Sequence, residues 1–134
     1  MEDRKLDAAA RAFLAVKLHN YYSALEKMLV RIMRTLDGTV PSGDSWHREL
    51  IEQACRPAPG IRPAIIDHGL AAELDRLRSF RHFFRNAYVV ELDWAELECH
   101  RQRVSSLHPR LISSIEQLLE HLEASCDFVE NHQT

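Results

Sequence analysis

The sequence predicts an all-helical bundle of four to five helices, with long first and last helices. Three observations carry this. Apolar residues recur at spacings of three and four along most of the chain, the pattern of one buried helix face. No stretch alternates with period two between turn residues, so no strand is expected. A chain of 134 residues with 46% hydrophobic content is long enough for one core, and residues 1–134 read as a single domain.

The first helix is the clearest. Leu6, Ala9, Ala10, Phe13, Leu14, Ala15, Val16, Tyr21, Tyr22, Leu25, Leu29, Ile32, Met33 and Leu36 form its stripe, and Gly38 is a plausible stop. Turn residues from Gly38 to Asp44 mark a loop. A short helix then carries Trp46, Leu50, Ile51 and Ala54. The stretch from Arg56 to Pro63 is too rich in proline for a helix interior. The next helix is expected from about Asp67 to Val90, burying Leu70, Leu74, Leu77, Phe80, Phe84 and Ala87. Asp93 followed by Glu96 is a helix-start pattern. Pro109 suits the first turn of a separate last helix, with Leu111, Ile112, Ile115, Leu118, Leu119 and Leu122 inside, running to about Phe128.

Composition excludes several classes. A net charge of −3 does not describe a wholesale nucleic-acid binder, so any RNA contact comes from a local patch. Cys55, Cys99 and Cys126 are odd in number and lack paired spacing, which predicts reduced thiols. No apolar run reaches the roughly 18 residues of a membrane span, and the charged start is not a secretory signal. A soluble, cytoplasmic protein is expected. His68, His100, His108, His121 and His132 show no metal-ligand spacing, so neither metal nor cofactor is expected. Cys99 and His100 are adjacent, pointing about 100° apart on a helix, which suits no catalytic pair.

The chemistry concentrates between Arg76 and Tyr88. Arg78, Arg81, Arg85 and Tyr88 fall along one helix stripe, beside the apolar stripe of Phe80, Phe84 and Ala87. Guanidinium groups match phosphate oxygens bidentately, and a tyrosine stacks bases or hydrogen-bonds phosphate. The plain alternative is a solvated face paired with Glu73, Asp75, Glu91 and Asp93.

The segment Leu77-Arg78-Ser79-Phe80-Arg81-His82-Phe83-Phe84-Arg85-Asn86-Ala87-Tyr88, with Glu91-Leu92-Asp93-Trp94 after it, resembles the motif region of HepT-like toxins in the HEPN superfamily. Tyr22-Ser23-Ala24-Leu25-Glu26 and the block from Val40 to Leu50 add to the likeness, which runs in order from about His19 to Leu97. The family motif is arginine, four residues, histidine, one residue, tyrosine. Arg81 and Tyr88 match it, and Asn86 stands at the histidine.

The resemblance implies a HEPN-type bundle and a metal-independent endoribonuclease in which a 2′-hydroxyl attacks the adjacent phosphate. It gives Arg81 charge stabilisation and position 86 proton transfer, while the helix stripe itself puts Arg78, Arg85 and Tyr88 forward as RNA contacts. It further implies a homodimer, and an MNT nucleotidyltransferase antitoxin that silences the toxin by AMPylation of Tyr88. Asn86 has no titration near neutral pH and moves no proton, so activity is expected to be impaired unless His82, one turn earlier, substitutes. The asparagine fits either a naturally weak variant or a histidine replaced so that a toxic chain could be produced; the intact remainder of the motif favours the second. Two other functions stay open: a non-catalytic HEPN binding module, and the partner subunit of a nucleotidyltransferase. His47 is read as structural or capping rather than catalytic, and the Tyr21–Tyr22 pair as packing rather than a base-stacking platform.

Overall fold

The structure, a computed structural model, describes the backbone of residues 2–85 and 93–132 and the side chains of residues 7–81 and 93–126. Four helices follow in order: α1 (Glu2–Leu36), α2 (Trp46–Cys55), α3 (His68–Arg85) and α4 (Trp94–His132). At 1.5 Å per residue, α1 and α4 run about 52 and 58 Å, so they set the length of the bundle. No strand occurs among the described residues, as expected. α1 packs against all three other helices, and α3 lies against both α2 and α4.

The main core gathers Tyr22, Leu25, Leu29 and Met33 of α1 with Leu50, Ile51 and Ala54 of α2, Leu70, Leu74 and Leu77 of α3, and Leu107, Leu111 and Leu118 of α4. A smaller cluster joins Ala15 and Leu18 to Phe80 and Leu97. The expected α3 face is buried as far as Phe80; Phe84, Ala87 and the predicted stretch to Val90 lie outside the residues whose side chains are described. On the long helices the stripes are narrower than expected. Phe13 and Val16 on α1, and Ile112 and Leu119 on α4, are exposed. Their neighbours Ala15, Leu18, Leu111 and Leu118 are buried, so the four exposed residues lie on sides of α1 and α4 turned away from the core.

The helix ends follow local chemistry. α1 stops where Gly38 takes a φ of +77° and its N–H returns to the Met33 carbonyl. Asp67 caps α3 through its carboxylate and the Leu70 N–H at 2.7 Å. Asp93 does the same for α4, accepting from the Ala95 N–H at 3.0 Å. The proline-rich segment is a loop, as predicted, held by one buried arginine. Arg62 makes a two-pronged pair with Asp37, both distances 2.8 Å, and donates to the carbonyls of Arg56, Pro63 and Gln53. This clamp ties the end of α1 to the α2–α3 connection and seats Ile65 and Ile66 in the core.

One expectation fails. Pro109 does not begin a separate helix; it sits inside α4. A proline there removes one helical hydrogen bond, at roughly 3 kcal/mol. Pro109 is exposed, however, whereas Leu107 and Leu111 on either side enter the same core. Burying both across one continuous helix outweighs the lost bond. Pro109→Ala restores the bond but leaves the unfolded chain freer, so it should stabilise the protein by about 2 kcal/mol, read as a higher denaturant midpoint.

Candidate functional site

Arg81 is carried by the fourth turn of α3, one residue beyond the buried Phe80. That placement turns it towards α1 and α2 rather than outward. There it meets His47, from the first turn of α2: an Arg81 Nη1 hydrogen lies on His47 Nε2, 2.9 Å between heavy atoms. The other ring nitrogen, Nδ1, is 2.6 Å from the Glu26 carboxylate of α1. Three helices thus contribute one residue each to a continuous chain, Glu26–His47–Arg81.

The chain of bonds fixes the imidazole chemistry. Arginine can only donate, so Nε2 must accept; Nδ1 then carries the proton and gives it to the carboxylate. These two bonds fix the orientation of the ring and the role of each nitrogen. Glu26 is buried, which demands such a partner for its charge. Trp46 lies over the imidazole, ring centres 3.6 Å apart, and limits its rotation. Tyr22, buried on α1 one turn before Glu26, completes the group. Burial first, then the nearby Glu26 charge, pushes its phenol far above the usual range, while Arg78 and Arg81 pull the other way. The phenol therefore stays protonated and acts as a neutral wall. Its hydroxyl has no well-aligned partner among the described residues.

Among the described residues, Arg81 makes one side-chain bond, to His47. Its Nε is shielded from solvent and meets no acceptor among the described residues. One hydrogen goes to His47, and the rest of the fork suits an anion. Arg78 behaves differently: it pairs with Asp75 on its own helix at 2.7 Å, the plain alternative for the arginine stripe. Arg76 likewise pairs with Glu73, which also holds Arg103 of α4. His82 and Arg85 lie on the last turn of α3 with undescribed side chains, and Asn86 and Tyr88 lie outside the described residues.

Of the two non-catalytic roles expected for His47, the structure shows the structural one: Ser45 stands at the N-cap of α2 and makes no side-chain capping bond. The imidazole instead reaches across two helices. The only sequence signal was the order of blocks, Glu26 in one, His47 in the second and Arg81 in the third; nothing local announced that they meet. Tyr21 and Tyr22 pack as expected, Tyr22 in the core and Tyr21 against His108 with its hydroxyl 2.9 Å from Nδ1. His100 is buried against Phe80, and burial followed by the Arg103 charge lowers its pKa. Cys55, Cys99 and Cys126 are free thiols. No helix among the described residues is long and apolar enough to cross a membrane.

The site thus sits in an all-helical bundle, on an inward-facing arginine of α3 held by a histidine of α2. The family model of HepT-like proteins matches residues 13–122, and the chain belongs to that HEPN-superfamily family. The match spans α1 through most of α4 and includes all three members of the Glu26–His47–Arg81 chain. No curated protein and no solved structure matches the chain.

Proposed function

We propose that the chain is the toxin of a HEPN/MNT toxin–antitoxin pair, a metal-independent endoribonuclease acting through Arg81. The observation that carries this reading is the setting of Arg81. A guanidinium on a solvated helix face pairs with whatever acid is near; this one is held by a histidine that is itself held by a buried carboxylate. Such support suits a group that must meet a phosphate in one orientation. The reaction assigned is that of HEPN ribonucleases, whose fold the chain shares: a 2′-hydroxyl attacks the neighbouring phosphate and the 5′-oxygen leaves.

The further assignments combine the family with the arginine stripe of α3. Arg85 and Tyr88 contact the RNA, joined by Arg78 once substrate phosphate takes the place of its Asp75 partner, with Asn86 and His82 at the proton-transfer positions. The protein works as a cytoplasmic homodimer of single-domain chains. The exposed Phe13 and Val16 support an interface close to the motif helix, because Ala15 and Leu18 beside them pack on Phe80. An MNT nucleotidyltransferase silences the toxin by adding AMP to Tyr88, and the added phosphate competes with substrate for the guanidinium groups. A binding module without catalysis is the second reading, and Asn86 favours it.

Incubation with single-stranded RNA in EDTA tests the proposal. Cleavage should persist in the chelator and fall at least about a hundredfold in Arg81→Ala, the usual loss of a charge-stabilising group. Binding of RNA by the chain without cleavage, unchanged by Arg81→Ala, would favour the second reading and reject the first.

A further inference from the structure

We propose that His47 is the proton acceptor of this site, oriented by Glu26, and that it takes the proton of the attacking 2′-hydroxyl. The inference rests on the ribonuclease reading above but on different observations. A general base needs a lone pair near the reacting oxygen, a fixed tautomer and a group that stabilises the charged ring once formed. His47 has all three. Nε2 points its lone pair at Arg81 from 2.9 Å, beside the position of any phosphate the guanidinium binds. Nδ1 is committed to Glu26 at 2.6 Å, which fixes the tautomer. The buried carboxylate is the counter-charge for the imidazolium. Carboxylate, imidazole and acceptor site stand in the order used by hydrolases whose histidine activates a hydroxyl.

The step balances simply. A phosphate on Arg81 draws the guanidinium away from Nε2 and brings the adjoining ribose to it. Nε2 takes the 2′-hydroxyl proton as the O2′–P bond forms. The P–O5′ bond breaks, the departing 5′-oxygen takes a proton from water or a second acid, and the imidazolium returns its proton to solvent. The products are a 2′,3′-cyclic phosphate and a 5′-hydroxyl. Among the described residues, the charged groups bonded to His47 are Glu26 from α1 and Arg81 from α3. Tyr22, on α1 beside Glu26, is kept protonated by burial and the Glu26 charge, against the pull of Arg78 and Arg81 from α3.

A role confined to holding Arg81 is separable from proton transfer. His47→Gln keeps an acceptor oxygen for the arginine and moves no proton, whereas His47→Ala loses both. Both variants, with Glu26→Gln, are assayed by RNA cleavage across pH, in the chain itself and in an Asn86→His background. Circular dichroism checks the fold. His47→Gln should lower kcat at least about a hundredfold in both backgrounds with little change in KM. Glu26→Gln should move the acidic limb to lower pH, because the imidazolium loses its counter-charge. Cleavage that survives His47→Gln overturns the assignment and leaves His47 a support for Arg81. Cleavage by no form, Asn86→His included, overturns the ribonuclease reading as well. Should His47→Ala fail to fold, His47→Gln decides alone.

Discussion

Asn86→His raises RNA cleavage by at least about a hundredfold. A carboxamide has no protonation equilibrium near neutral pH, so it can hold a phosphate or ribose oxygen but transfer nothing. Cleavage by an internal hydroxyl needs two proton movements, one off the 2′-oxygen and one onto the 5′-oxygen. With His47 serving the first, a histidine at position 86 supplies the second. General acid or base help is worth ~10²–10⁴-fold, about 3–5 kcal/mol of barrier. Initial rates on a short fluorescent RNA, with end-group analysis for the cyclic phosphate, measure it. Equal rates for the two forms would show that position 86 moves no proton in this protein. His82, on the same helix one turn earlier, would then be tested by His82→Ala.

The second large effect concerns the fold. Arg62→Ala should destabilise the protein by about 3–5 kcal/mol, the loss expected when one member of a buried ion pair is removed and the other stays. Both partners are secluded, with side chains 1% and 9% exposed for Arg62 and Asp37. The guanidinium also satisfies three backbone carbonyls, which would lose their donor. For a domain of this size the change lowers Tm by roughly 10–20 °C. The effect depends on pH with a definite sign. The Arg62 hydrogen bonds hold the Asp37 carboxyl below the usual carboxylate range. Its contribution is therefore present above the ordinary aspartate pKa near 4 and lost as pH falls through the lowered folded value. In Arg62→Ala, Asp37 is buried alone and gains from protonation. The stability gap between the two proteins should narrow in acid; a gap constant between neutral pH and pH 3 would remove this pair as its source.

Several features were legible in the order of residues because their causes are local. A helix announces itself by period, and the apolar stripes of Leu25–Leu29–Met33 and Leu70–Leu74–Leu77 are buried as the spacing requires. Caps are equally local: Asp93 bonds a backbone N–H two residues on, and Gly38 takes the positive φ that ends α1. Family membership is also a sequence property, and the family match over residues 13–122 bears out the resemblance to HepT-like proteins. Arg78 was visible too, but its pairing with Asp75 makes it the ordinary salt-bridged surface arginine that composition alone suggests.

What the chain alone determined, then, is an all-α bundle, its helix faces and caps, and the family with its arginine motif. Tertiary structure decided the rest. Local rules break a helix at Pro109, but the shared core of Leu107 and Leu111 keeps α4 whole, because burial on both sides exceeds one lost hydrogen bond. Period alone put Phe13 and Leu119 inside, but a helix buries only the face its neighbours cover, and these two lie beside Ala15 and Leu118 on the uncovered side. The site shows the same division most clearly. Glu26, His47 and Arg81 are 21 and 34 residues apart in sequence, and each reads as an ordinary polar residue on its own helix. Their partnership arises only when α1, α2 and α3 close on a common core. There, loss of water makes a carboxylate, an imidazole and a guanidinium satisfy one another in a fixed order.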